Sequence, residues 1–118
     1  MCLQYYTSLF KKLEFNAYEI NAGYYKFIGL GYIKSNFFIL NPCIILNYYG
    51  IRSSVRHESL NYLVGNANEF EISEVKIGKV NRYHFIATKN KEILYDSIDL
   101  KPRGKVFKVT SKRIFKLK

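Results

Sequence analysis

The chain has 118 residues, 48% apolar and 24% charged, which is typical of one globular domain rather than of a disordered segment. No run of about 18 apolar residues lacks a charge, so a membrane-spanning helix is not predicted, and the polar start is unlike a secretory signal. The two cysteines, Cys2 and Cys43, are too few for a disulfide framework or a zinc site.

The net charge of +10 is unevenly distributed along the chain. Residues 1–100 carry 11 basic and 9 acidic side chains, whereas residues 101–118 carry 8 basic and no acidic ones. Lys, Asn, Ile, Tyr and Phe, which all have AT-rich codons, make up 57 of the 118 residues. A low-GC genome would therefore raise the lysine content without selection for a nucleic-acid ligand.

Two amphipathic helices are predicted in the first 30 residues. Apolar residues recur at helical spacing over residues 3–13 and again over residues 17–28. Gly29 and Gly31 are expected to stop the second helix, and residues 32–40 are expected to form a loop or a short extended segment.

The clearest local signal for a helix is the sequence Asn41-Pro42-Cys43-Ile44-Ile45-Leu46-Asn47-Tyr48-Tyr49-Gly50. Asn41 suits the N-cap, Pro42 suits the first helical position, and Gly50 suits the left-handed position after the helix. Because this helix is apolar nearly all round, we expect it to be buried. We expect Cys43 to be buried and unreactive with it.

After the third helix the sequence changes from helical to extended. A last short helix, capped by Ser54 or Ser59, is predicted to carry the apolar residues of 60–63. Beyond it, apolar and polar residues alternate with a period of two, which is typical of strands. The phase of the alternation slips between Ile72 and Val75, which indicates a β-bulge.

The second half of the chain is predicted to form an antiparallel sheet. Its clearest hairpin comprises residues 80–88 and 92–97 around Asn90, and residues 105–109 and 112–117 are predicted to be two further strands. Helices first and strands afterwards indicate the α+β class, with N-terminal helices packed on a C-terminal antiparallel sheet.

The hairpin contains the most informative pair of side chains. His84 and Asp96 are symmetric about Asn90, so a turn centred there would place them directly opposite each other. A carboxylate in that position can orient a histidine and favour its protonated form, as in a nucleophile–base–acid triad. A structural cross-strand ion pair, or a turn centred elsewhere, is the alternative.

Cys2 is the candidate nucleophile. It stands just before the first predicted helix, where the positive end of the helix dipole can lower the pKa of a thiol. A frayed terminus without a function is the alternative for Cys2. His57 lies in a polar stretch and is expected to be a surface residue.

The basic C-terminal segment has two interpretations. Lysines and arginines alternate there with Val106, Phe107, Ile114 and Phe115, a pattern that suits a phosphate-binding ribbon with aromatic stacking. The favoured alternative is an edge strand whose lysines block pairing with other sheets.

A helix with a cysteine near its start, followed by an antiparallel sheet, resembles the papain-like cysteine peptidase fold. The segments Tyr83-His84-Phe85-Ile86-Ala87 and Leu94-Tyr95-Asp96-Ser97 are similar to the histidine and aspartate strands of bacteriocin-processing-type peptidases. The resemblance implies thiol-based acyl transfer with Cys2 as nucleophile, His84 as base and Asp96 as the orienting group.

A second resemblance covers nearly the whole chain. Residues 5–12, 39–51 and 110–116 are similar to a family of small plasmid-borne Borrelia proteins of unknown function. Members of that family begin somewhat earlier, with a Gly-Cys pair. The resemblance implies that Met1 is an internal start and that the family's nucleophile is absent, in which case Cys2 would lie about one helical turn after it.

The sequence therefore predicts one papain-like α+β domain over residues 1–118, with a degenerate or truncated cysteine peptidase-like site formed by Cys2, His84 and Asp96. The alternative function is a basic nucleic-acid-binding or plasmid-maintenance accessory protein that uses residues 101–118. No cofactor and no metal site are predicted. A peptide substrate, weak non-specific nucleic-acid binding and a cytoplasmic location are the remaining expectations.

Overall fold

Three helices precede five strands in the computed structural model, which describes residues 2–35, 39–77, 83–90, 92–96 and 107–118. The strands form one sheet whose paired strands run antiparallel, so the predicted α+β class is confirmed. The elements are α1 (Cys2–Lys11), α2 (Ala17–Gly29), α3 (Pro42–Tyr48), β1 (Ser53–Glu58), β2 (Glu69–Ile77), β3 (Tyr83–Lys89), β4 (Glu92–Tyr95) and β5 (Phe107–Leu117).

The chain divides into two compact units. The first comprises Leu3–Ser53 and contains the helices, and the second comprises Cys2 together with Ser54–Lys118 and contains the sheet. None of the helices in the described residues is long and apolar enough to cross a membrane.

Side chains cap the starts of α2 and α3, and of these two caps the sequence predicts that of α3. The Asn16 side chain accepts a hydrogen bond from the Glu19 N–H at 2.8 Å, and the Glu19 carboxylate accepts one from the Asn16 N–H, which together form a capping box. The Asn41 side chain caps α3 by accepting from the Cys43 N–H at 3.0 Å. Gly50 follows α3 with φ +83°, the left-handed conformation that glycine adopts without strain.

Aromatic rings form the centre of the first unit. Phe27 is fully buried and meets the rings of Tyr48 and Tyr49 edge-on at 5.2 and 5.9 Å. The expectation that α3 is buried all round was wrong, because Ile44 and Tyr48 remain exposed and Cys43 is only half-buried. A helix this short presents one face to its unit, so its apolar sequence does not imply burial on every side.

The predicted short helix around residues 60–63 was also wrong. The segment before it is strand β1, and the Ser59 hydroxyl accepts from the Asn61 N–H at 3.0 Å in a turn. Arg56 on β1 donates to Glu58 at 2.9 Å and to Glu69 on β2 at 2.8 Å. The bond to Glu69 joins residues that are 13 positions apart, and a local serine cap could not reveal such a contact.

The strand order of the sheet is β1-β5-β2-β3-β4. The basic C-terminal segment is one strand from Phe107 to Leu117, where the sequence predicted two strands, and residues 105 and 106 lie outside the described residues. Since β5 lies between β1 and β2, the edge-strand interpretation of its lysines is wrong.

A β-bulge occurs where the apolar phase of β2 slips. Glu74 pairs with Ser111 and Val75 pairs with Val109, so the extra residue is Thr110 on β5. The pairing of β2 with β3 continues without interruption past this point. The slip in β2 thus marks a change in which face carries the apolar residues, and the bulge itself belongs to the neighbouring strand.

A buried polar network crosses the three central strands. Lys112 on β5 forms an ion pair with Glu71 on β2 at 3.1 Å, and their side chains are 5% and 0% exposed. The Thr88 hydroxyl on β3 donates to the other carboxylate oxygen of Glu71, and it lies 2.7 Å from the Ser73 hydroxyl. Lys112 also donates to the Tyr62 carbonyl at 3.3 Å. Every charged group of the network thus has a partner in the sheet interior.

Replacement of Lys112 by methionine is expected to lower the free energy of unfolding by about 3–5 kcal/mol, because it leaves the Glu71 carboxylate buried without its cation. Lys108→Met makes the same change at an exposed position of β5 and is expected to stay within about 0.5 kcal/mol of the parent. Urea denaturation of the two variants provides the measurement. Equal stabilities would contradict a structural role for the ion pair.

Candidate functional site

The register of the β3–β4 hairpin determines where Asp96 lies. Lys89 pairs with Glu92 and Thr88 with Ile93, but Ala87 pairs with Tyr95, so Leu94 is an extra residue on β4. Continued by one residue, the pairing sets Asp96, which directly follows β4, across from Ile86. Without the bulge, Asp96 would lie across from Phe85 and on the opposite face of the sheet.

His84 and Asp96 therefore meet diagonally, whereas the sequence predicted direct opposition. The prediction placed the turn centre at Asn90, which has the left-handed φ of 60°. The Lys89–Glu92 pair moves that centre beyond Asn90. Diagonal neighbours in antiparallel strands lie about 7–8 Å apart, within reach of long side chains. The predicted adjacency of the two antiparallel strands is confirmed.

The two side chains form a hydrogen-bonded pair. His84 Nε2 lies 3.1 Å from Asp96 Oδ1, and the side chains are 20% and 7% exposed. Because an ionised carboxylate only accepts hydrogen bonds, the proton in this bond is on Nε2 of the imidazole. In the neutral ring Nδ1 then has a free lone pair, which is the arrangement of a general base oriented by an acid.

Cys2 is the first residue of α1, and its side chain lies against β3. Only 8% of Cys2 is exposed, and its Sγ donates to the carbonyl oxygen of Phe85 at 3.4 Å. Burial raises the pKa of the Cys2 thiol to about 12, and the negative charge of Asp96 adds to the increase. The expectation that the helix dipole lowers this pKa was wrong, because desolvation of a buried thiolate outweighs it.

Tyr95 and Phe85 also belong to this region, and sequence reasoning missed both. The pKa of Tyr95 is raised by its burial and by the nearby Cys2 and Asp96. The Arg113 guanidinium lies over the Phe85 ring, 4.7 Å from its centre. Phe85 acts through its main-chain carbonyl, which no side-chain pattern can reveal, whereas the position of Tyr95 next to Asp96 was a usable signal.

The arrangement brings a histidine–carboxylate pair and a thiol into one unit with the thiol in its neutral form. Thiol-based acyl transfer requires the thiolate. At neutral pH the Cys2 thiol stays protonated, and its S–H group donates a hydrogen bond to a main-chain carbonyl. The geometry thus supplies a hydrogen-bonded histidine–carboxylate pair and a thiol that is not ionised.

Other chemistry-bearing residues lie apart from this region. His57 is exposed on β1, as predicted, and Cys43 is a free, half-buried cysteine in the first unit. Among the residues that the structure describes, no three His, Cys, Asp or Glu side chains come together as metal ligands.

Some side chains of the basic segment are buried in the sheet. Lys112 is paired with Glu71, and Phe115 is 1% exposed and stacks on Phe70 with ring centres 4.8 Å apart. Lys108 and Lys116 are exposed. Phe115 is therefore not available to stack on a nucleic-acid base, and the side chain of Phe107 lies outside what the structure describes.

Comparison with known proteins yields a family without an assigned activity. No curated protein and no solved structure matches the chain. The family model DUF261, described as a protein of unknown function, matches residues 1–117. With nearly the whole chain matched, this protein belongs to the DUF261 family.

Proposed function

We propose that the second unit carries a papain-like Cys–His–Asp site of the thiol acyl-transfer type in a degenerate state. Cys2 takes the position of the nucleophile, His84 that of the base and Asp96 that of the orienting acid. As the chain stands, the site does not turn over a peptide substrate. The bond between His84 Nε2 and Asp96 is the observation that carries the proposal.

The choice of ring nitrogen supports these roles. Asp96 occupies Nε2 of His84 and leaves Nδ1 to accept a proton from a nucleophile. Cys2 is the first residue of α1, and its thiol donates to the carbonyl oxygen of Phe85, the residue after His84. The negative charge of Asp96 raises the pKa of this thiol. A cysteine at a helix start beside a histidine–carboxylate pair is the set of groups that thiol acyl transfer uses.

The degenerate state follows from the surroundings of Cys2. Since burial raises the pKa of its thiol to about 12, only a minute fraction is ionised at pH 7. An active thiol site lowers this pKa through an adjacent cation or helix end. In this site the desolvation of the sulfur opposes both effects.

Alkylation of Cys2 by iodoacetamide at pH 7.5 tests the proposal in the Cys43→Ser background. We expect Cys2 to react far more slowly in the folded protein than after denaturation. Asp96→Asn is expected to raise its rate several-fold, because removal of the carboxylate charge favours the thiolate. In an active site the same change removes the group that orients the base, so the rate would fall instead.

Two further variants complete this experiment. His84→Asn is expected to change the alkylation rate of Cys2, whereas His57→Asn makes the same change at an exposed site on β1 and should not. If neither His84 nor Asp96 influences Cys2, the three residues do not form one site and the proposal fails. Rapid alkylation at neutral pH together with cleavage of a peptide ester would contradict the degenerate state.

The basic segment is expected to give only weak nucleic-acid binding. Residues 101–118 carry eight basic side chains and no Asn or Gln, and only Arg103 and Arg113 could make bidentate contacts to bases. We expect binding to duplex DNA at about 50 mM salt that is largely lost by about 200 mM, without sequence preference. Fluorescence anisotropy measures this. Tight binding to one sequence at physiological salt would favour the nucleic-acid function instead.

We also propose that the protein is one of the plasmid-borne Borrelia proteins that it resembles, and that it is located in the cytoplasm. Neither changes the chemistry assigned to Cys2, His84 and Asp96.

A further inference from the structure

The buried polar network of Lys112, Glu71, Ser73 and Thr88 divides one carboxylate between two neighbouring strands. One oxygen of Glu71 faces Lys112 on β5, and the other accepts from Thr88 on β3. We propose that this network is a register key, which selects the pairing of β2 with β3 and thereby positions the candidate site. The inference rests on the proposed function, since it concerns the placement of the same three residues.

The apolar pattern of the central strands does not by itself select a register. Residues 70–73 of β2 are all buried, as are residues 86–88 of β3, and Ile114 and Phe115 on β5 are buried next to each other. Both faces of these strands are thus covered. In a strand with one buried face, a slip of one residue would expose its apolar side chains, but here it would bury apolar residues again.

The polar groups distinguish the native register from a slipped one. Glu71 lies across from Thr88, and Ser73 lies across from Lys112, so all four side chains are on one face of the sheet. A slip of β3 by one residue would carry Thr88 to the other face and leave a carboxylate oxygen of Glu71 without its donor. Burial of an unsatisfied charged oxygen is strongly unfavourable, so the network disfavours the slip.

The register of β3 also decides on which face the candidate site lies. His84 is four residues before Thr88 on β3 and therefore shares its face. Asp96 would move with His84, because both belong to the β3–β4 hairpin. A slipped hairpin would keep the histidine–carboxylate pair but would carry it away from Cys2, which now contacts the Phe85 carbonyl. The network thus acts on the site by positioning.

An apolar version of the network tests the inference in the Cys43→Ser background. The variant carries Glu71→Leu, Ser73→Ala, Thr88→Val and Lys112→Met, changes that preserve volume. Replacement of a buried ion pair by apolar groups of similar size is often neutral for stability, so a folded protein is expected. We expect NMR to show a second set of β3 amide signals and weaker backbone contacts between Ile72 and Ala87, which pair in the native register. Alkylation of Cys2 is expected to become at least several-fold faster.

Two single variants keep the test decisive if the fourfold variant does not fold. Thr88→Val preserves the shape of the side chain but removes the hydroxyl, and it is expected to populate the second register. Thr88→Ser keeps the hydroxyl and is expected to show one register. If the folded variants without the hydroxyl keep a single set of signals and the alkylation rate of their parent, the inference is overturned. The effect of His84 and Asp96 on the alkylation rate of Cys2 is measured with separate variants. Failure of the register inference therefore leaves the proposed site intact.

Discussion

The buried carboxylate of Glu71 is the constraint on which the rest of the sheet depends. An ionised group with no exposed surface has a desolvation cost of several kcal/mol, which only a complete set of partners offsets. Lys112 and Thr88 supply those partners from the two neighbouring strands. The three strands with the most buried residues are thereby fixed to one another at a point where apolar packing would accept more than one alignment.

The geometry of the candidate site follows from the alignment of two pairs of strands. The pairing of β2 with β3 determines which face His84 occupies, and the extra residue Leu94 on β4 turns Asp96 to that same face. At Cys2 two effects oppose each other. A helix N-terminus stabilises a thiolate by about 0.3–1 kcal/mol, whereas desolvation of a buried charge costs several kcal/mol. Desolvation therefore prevails, and the thiol stays protonated.

Local signals in the sequence were sufficient for the caps of α3, the α+β class and the presence of a bulge near Val75. They failed where long-range contacts decide, as in β1, which Arg56 ties to Glu69 across 13 positions of the chain. For the candidate site, the sequence indicated His84, Asp96 and Cys2. It could not indicate the contact of Cys2 with a main-chain carbonyl or the depth of its burial, because both depend on the packed tertiary structure.

The central proposal is that Cys2, His84 and Asp96 of this DUF261 protein form a degenerate acyl-transfer site, in which burial keeps the Cys2 thiol neutral. The most direct measurement is a pH titration of the thiolate ultraviolet absorbance of Cys2 in the folded Cys43→Ser variant, with the Cys2→Ser/Cys43→Ser variant as the blank for tyrosine ionisation. The account predicts no thiolate signal from pH 6 to about pH 10, because burial raises the pKa of Cys2 to about 12. Ionisation of Cys2 at or below neutral pH would contradict it.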